Sequence, residues 1–271
     1  MERSRRTAFD RVDGTSDPAD FVRYLDTTRA TPFFQEVKRR SFALLDPRAG
    51  ARVLDVGCGT GDDVLALARA VGPTGRAVGV DASATMIAEA RRRAAGAGLP
   101  AEFFQGDAQR LDFADAIFDG CRAERVLQHV EAPRAVLAEM IRVSRPGAPI
   151  VIWEAELEML VIDAPDRATG RRLQRFICDG FRNGAIGHQL YRLFKEAGLA
   201  EVRALPLSNA ITDYALANNA FDLRASAQRA SEAGVVTAAE AAAWIASLEA
   251  ADAAGHFFCA VAGFLVSGRK P

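Results

Sequence analysis

Apolar and polar positions follow two rhythms along this chain. Up to about Leu45 the apolar residues recur at helical spacing in two pieces. "PADFVRYLDTTRA" begins after Asp17-Pro18, and "TPFFQEVKRRSFALL" begins after Thr31-Pro32. Proline suits a first helical turn, where its missing N–H is no loss. Then "ARVLDV" (51–56) is a short β-branched run, and "GDDVLALARAVG" (61–72) returns to helical spacing closed by glycine. The alternation repeats. "RAVGVDAS" (76–83) predicts a second strand, and "SATMIAEARRRAAGAG" a helix that Ser83 can cap. "AEFFQGDA" (101–108) and "AIFDGCRAE" (116–124) predict strands three and four, "APRAVLAEMIRVS" a helix, and "RPGAPIVIWEAE" a turn feeding strand five. Strands alternating with helices at these intervals predict crossover units and a parallel sheet covered on both faces.

The rhythm changes after strand five. Residues 156–183 read as an irregular insertion, "IGHQLYRLFKEAGL" as a helix and "AEVRALPLS" as a strand. Ala-rich helical sequence follows, and "HFFCAVAGFLVSGRK" reads as a last strand. Two late strands flanking a helical excursion predict an antiparallel edge on the parallel sheet. The organisation expected is a helical N-terminal cap segment (1–45) and one α/β domain (46–271). Cap insertions are expected at about 156–183 and 208–255.

Composition narrows the partners. Hydrophobic residues make up 49% of the chain, ample for a core, and 34 Lys+Arg against 35 Asp+Glu leave a net charge of −1. That balance offers no electrostatic footprint for nucleic acid or an anionic membrane. "RRR" at Arg91, Arg92 and Arg93 reads as a cationic helix end complementing the dipole. Cys58, Cys121, Cys178 and Cys259 lie far apart with no zinc spacing, so a reduced, cytoplasmic setting is expected, with no metal. "MERSRRTAFD" has no apolar run of the kind a signal peptide needs, and no window approaches a membrane span. The sequence is compatible with a homo-oligomer.

The chemistry concentrates at strand ends. Gly57, Gly59 and Gly61 follow the first strand, where glycine lets backbone approach a ligand and the next helix offers free N–H groups. A dinucleotide fingerprint would read G-x-G-x-x-G, whereas here it is G-x-G-x-G with Asp55 inside the turn. A carboxylate there suits a ligand bearing an ammonium and repels a pyrophosphate. Asp81 ends the second strand, where an acid can accept from ribose hydroxyls. Asp107, in "QGDAQRL", ends the third, within reach of an exocyclic amine.

With those residues in view, the chain resembles the class I S-adenosylmethionine-dependent methyltransferases. The resemblance rests on "VLDVGCGTGDDV", "VGVDAS", "FFQGDAQRLDF" and "FDGCRAERVLQHV", strongest over 46–154. More closely it is similar to the small-molecule enzymes of ubiquinone/menaquinone or natural-product type. The resemblance implies a Rossmann-like seven-stranded sheet of order 3-2-1-4-5-7-6 and S-adenosyl-L-methionine as cofactor. Asp55 with Gly57, Cys58, Gly59 and Gly61 would hold the methionine part, and Asp81 the ribose. Gly106, Asp107 and Ala108 would meet the adenine, which Ala82 and Met86 would flank, and Ala123 would present backbone near the methionyl amine. Transfer would be an in-line displacement onto an O, N or C nucleophile of a small-molecule substrate.

His129, beyond the fourth strand, is the candidate general base, since an unshifted pKa of about 6.5 suits that task. A hydrogen-bonded histidine orienting the loop is the alternative. Gln128 is its polar neighbour, and Tyr24, Gln128 and Glu154 are candidate substrate contacts. Arg122 and Arg125 could meet an anionic substrate, although salt bridges to Glu124 or Glu131 would occupy them as well. Two other functions stand beside methyl transfer: a fold that keeps the cofactor as a scaffold for a reaction such as cyclisation, and an NAD-dependent oxidoreductase, which the glycine spacing disfavours. "RAERVLQ" stands where a nucleic-acid methyltransferase would carry N-P-P-[YF], so nucleic acid is not the expected substrate.

Overall fold

The structure, a computed structural model, describes residues 7–271. The first six residues, part of the expected 1–45 segment and of the leader reading, lie outside the described residues. Strands β1 (Arg52–Val56), β2 (Arg76–Asp81), β3 (Ala101–Gln105), β4 (Gly120–Glu124), β5 (Pro149–Ile162), β6 (Ala200–Ile211) and β7 (Cys259–Arg269) form one sheet. Their order is β3-β2-β1-β4-β5-β7-β6. β1 to β5 are parallel and β7 runs antiparallel to both β5 and β6. Both the order and the antiparallel edge bear out the sequence expectation. Central strands must be apolar on both faces, and Val53, Leu54, Val56, Val78 and Ile150 are accordingly buried.

Helices α1 (Pro18–Arg29) and α2 (Pro32–Leu45) start where the two prolines predict, and the side chains of Asp17 and Thr31 cap them by accepting from Asp20 N and Phe34 N. The crossovers are α3 (Asp62–Val71), α4 (Ala84–Ala94), α5 (Pro133–Val143) and α7 (Ile186–Glu196). A short 3-10 turn, Phe9–Gly14, precedes α1.

Two expectations need correction. β3 and β4 are shorter than the apolar runs suggested, because Gly106 turns the chain and Phe118 makes only an isolated bridge to Ser144. More consequentially, 156–183 is not irregular. β5 continues to Ile162 through a bulge between Glu156 and Val161, because the outer halves of β7 and β6 extend the ladder beyond the parallel sheet. This antiparallel extension carries α6 (Arg167–Asp179), α8 (Tyr214–Phe221), α9 (Leu223–Glu232) and α10 (Ala238–Ala253). Leu157, Leu160, Leu173, Phe221, Trp244 and Leu248 form its own buried core.

Two of the loop glycines are demanded by space. Gly57 has φ +71° and a Cβ there would stand 2.2 Å from Val126 Cγ2. Gly61 has φ +79°, and its Cβ would stand 2.7 Å from Ala90 Cβ and 2.6 Å from Phe103. The third glycine thus packs α3 against α4 and β3. Gly61→Ala is expected to cost roughly 2–5 kcal/mol, combining backbone strain and overpacking. Gly198→Ala, at φ +79° with nothing within 4 Å, should cost only about 1–2 kcal/mol. Urea denaturation of the two variants measures the difference, and equal losses would refute the packing role.

Candidate active site

The carboxyl ends of β1, β2, β4 and β5 meet around the glycine loop. Gly57 N and Cys58 N donate to Val80 O at 2.7 and 3.0 Å, folding the loop back on β2. Asp81 fixes it there: one carboxylate oxygen accepts from Gly59 N and the other from Ser83 N, both at 2.9 Å. Burial pushes the Asp81 carboxyl above its usual range, against the pull of those N–H donors. Each oxygen retains acceptor capacity toward the cavity that Asp81 lines.

A cavity of about 560 Å³ opens in front of this loop, within the range of small-molecule sites. Of the residues singled out from sequence, Tyr24, Gly57, Gly59, Asp81, Ala82, Met86, Gly106, Asp107, Ala108, Gln128 and His129 line it. Its far wall is aromatic and aliphatic, from Phe33, Phe34, Trp153, Leu157, Phe181, Ile211 and Phe221. A smaller pocket of about 60 Å³ adjoins it through Leu25, Gly57, Gly59, Glu124 and Arg125, and contains Asp55 and Cys58. Its ionisable lining is balanced: Asp55, Asp62, Asp63 and Glu124 against Arg29, Lys38, Arg122 and Arg125. Such a mouth suits a zwitterion, and the two spaces together fit a nucleoside carrying an amino-acid tail.

Asp55 is already shared with a buried cation. Arg122, 1% exposed, donates to Asp55 Oδ1 at 2.9 Å, Asp63 Oδ2 at 2.9 Å, Glu124 Oε2 at 2.8 Å and Ser41 Oγ at 3.1 Å. Burial pushes the Asp55 carboxyl up, against the pull of the Arg122 charge. Burial would also raise Asp63, but Arg122 and Lys38 overcome it and hold that group below the usual range. The sequence reading missed Lys38, Ser41 and Asp63; the second acid of "GDD", directly behind the glycines, was the available signal for the last.

Three other expected residues do not line either space. Gly61 packs as described above. Ala123 lies inside β4, paired with Val56 and Ile152 and buried in the core; its neighbour Glu124 reaches the cavity instead. Glu154 is corrected from substrate contact to turn support. It is fully buried, and its Oε1 accepts from Val126 N at 2.8 Å and Leu127 N at 2.6 Å. That bond set positions the loop carrying Gln128 and His129. Asn183 supports the same loop, donating through Nδ2 to Leu127 O and Val130 O, both at 2.8 Å.

His129 is where sequence placed it, but in another state. Its ring lies between Phe9 and Phe181, at centroid distances of 5.2 and 6.0 Å, with Nε2 2.9 Å from Gln128 Nε2. Burial, with a contribution from the Arg125 charge, lowers its pKa to about 3, so the expected unshifted value does not hold. His129 Nδ1, Gln128 Oε1 and Trp153 Nε1 are buried with no partner within the chain. Three unsatisfied polar atoms on residues lining one cavity are what a ligand site needs. The N-terminal turn closes the other side. Asp13 accepts from Ser83 Oγ at 2.7 Å and from Ala84 N and Thr85 N at 2.8 and 3.1 Å, holding its pKa down at about 2, and Asp10 pairs with Arg182 at 3.3 Å.

Burial also pushes Glu154 up to about 8, from an ordinary 4.5. A raised acid lends stability that is complete below its unfolded pKa and lost as pH rises through the folded one. Glu154→Gln keeps the acceptor oxygen and removes the titration. Between about pH 5.5 and 7, above the unfolded pKa and below the folded one, its stability relative to wild type should therefore rise by about 1.4 kcal/mol per pH unit. Denaturation midpoints across that window check this, and a pH-independent difference would contradict it.

Residues 53–147 match the family described as methyltransferase domain. The chain is 40% identical, over 91% of its length and 70% of the relative's, to an uncharacterized 37.1 kDa protein of transposon TN4556 from Streptomyces fradiae. It is 34% identical over 125 residues to demethylmenaquinone methyltransferase of Bacillus cytotoxicus, a match covering 46% of this chain and only about half (53%) of that relative. The crystal structure of a SAM-dependent methyltransferase from Aquifex aeolicus superposes with TM-score 0.54 at 17% identity, covering 92% of this chain and 99% of that one. Among the described residues no helix is long and apolar enough to cross a membrane. The glycine loop on β2, the strand order and these matches together assign the chain to the class I S-adenosylmethionine-dependent methyltransferases.

Proposed function

We propose that the protein transfers a methyl group from S-adenosylmethionine to a small, largely apolar acceptor held under the cap. The observation that carries this reading is the junction of two spaces, a charged, balanced mouth at the glycine loop and an aromatic chamber with unsatisfied polar atoms at its wall. The cofactor, when bound, supplies a sulfonium-activated methyl, so the chain's work is binding, orientation and exclusion of water. Asp81 would accept from the ribose hydroxyls while holding Gly59 in place. Ala82, Met86 and Ala108 would flank the base, with Gly106 and Asp107 at its edge. Asp55, with Asp63 and Glu124, would face the ammonium end.

Gln128 and His129 would orient the acceptor. Burial holds the His129 pKa down at about 3, which makes the imidazole a weak proton acceptor, so orientation is its role rather than general base catalysis. Tyr24, which lines the same chamber, would contact the acceptor. The N-terminal segment (1–45, described from residue 7) and the elements within 156–183 and 208–255 act as the cap that keeps the chamber dry.

Calorimetric titration tests the donor site. S-adenosylhomocysteine should bind at one site per chain with no comparable uptake of NAD, and Asp81→Ala should weaken it about tenfold or more. Uptake of NAD alone would sink the reading. Once an acceptor is turned over, His129→Gln should lower kcat by about tenfold and leave the pH profile between 5 and 8 unchanged. Loss of a profile limb near pH 6.5 in that variant would restore the general base.

A further inference from the structure

We propose that Arg125 binds an oxyanion, a carboxylate or an ionised hydroxyl, at the joint between the charged mouth and the aromatic chamber. The proposal rests on the methyl-transfer reading above. Its first support is the backbone. Arg125 has φ +57°, in the left-handed region that a bulky side chain adopts only at a cost. Among the described residues, the other non-glycine residues with positive φ are Asp46, Ala116, Glu201 and Asp222, and none of them lines either pocket. Arg125 lines both. The strained turn aims this side chain at the joint, with its own N–H held by Trp153 O at 2.9 Å.

The second support is the state of the guanidinium. It is only 15% exposed, lies 4.4 Å over the Phe34 ring and 5.9 Å from that of Tyr24, and donates at 3.4 Å to Tyr24 Oη. Its closest carboxylate contact, Glu124 Oε1 at 3.7 Å, is beyond hydrogen-bond distance, and Glu124 Oε2 is already held by Arg122. Nε is buried with no partner within the chain. The other cations at the mouth are each hydrogen-bonded to a carboxylate: Arg122 to three, Arg29 to Asp62, Lys38 to Asp63. A largely buried guanidinium 4.4 Å over an aromatic ring, with its Nε donor unspent, is built to receive an oxyanion.

That oxyanion has two sources, the carboxylate of the cofactor's amino-acid tail or an anionic oxygen on the acceptor. Calorimetry on the full chain separates them. One arm titrates wild type and Arg125→Met with S-adenosylhomocysteine and with methylthioadenosine, which lacks the amino-acid tail. A loss of tenfold or more for the first, with methylthioadenosine unchanged, assigns the cofactor carboxylate. The other arm titrates protein saturated with S-adenosylhomocysteine with 2-naphthoate and 2-naphthamide. A preference for the anion that disappears in the variant assigns the acceptor. Unchanged S-adenosylhomocysteine affinity together with no Arg125-dependent preference for naphthoate overturns the proposal. Arg125→Gly, which takes the positive φ without strain, gives the same readouts should the methionine variant fail to fold. If wild type itself binds no S-adenosylhomocysteine, the methyl-transfer reading falls instead.

Discussion

One buried guanidinium organises the charged end of the site. Arg122 sits on β4 under the glycine loop and draws together Asp55 of β1, Asp63 of α3, Glu124 at the end of β4 and Ser41 of α2. Each carboxylate would be costly so far from water on its own, and removing one member of such a cluster leaves an uncompensated charge worth roughly 3–5 kcal/mol. Lys38 joins from α2 through Asp63. The N-terminal helices are therefore bound to the sheet by electrostatics as well as by packing. That fastening places Leu25 and Arg29 at the mouth and Tyr24 at the chamber.

Around that hub the remaining geometry follows from backbone bonds. Asp81 fixes the glycine loop, Asp13 fastens the N-terminal turn to the start of α4, and Glu154 holds the turn before Gln128 and His129. Each is an acid spent on N–H groups at a loop or helix start, where backbone donors otherwise lack partners. The chamber wall is then shared by the turn (Phe9), α2 (Phe33, Phe34), β5 (Trp153, Leu157) and the cap (Phe181, Phe221). The chamber thus has sheet on one side and two separately anchored elements on the other.

What was legible in the sequence was local. Period, proline and glycine placed the helices and central strands, and the strand-end acids Asp81 and Asp107 marked the cavity. Contacts closed across long separations were not legible. Asp55 was legible as a strand-end acid, but its partner Arg122, 67 residues away, was not. Glu154 looked like a substrate contact because nothing in "IWEAE" announces that the turn 28 residues earlier folds onto it. The extension of β5 depended on partners in β7, and the state of His129 on rings supplied by Phe9 and Phe181. Alternation in "AELEML" was present, but its bulge obscured the period.

The central claim is that the two joined spaces bring a methyl donor and an apolar acceptor together for transfer. Turnover with S-adenosylmethionine labelled in its methyl group with deuterium, followed by mass spectrometry, tests it most directly. Across a panel of hydroxylated and amino-substituted aromatic acceptors, the account predicts a product heavier by one labelled methyl, with S-adenosylhomocysteine released in equal amount. A product of unchanged mass, formed while the cofactor stays intact, would contradict it and leave the cofactor as scaffold.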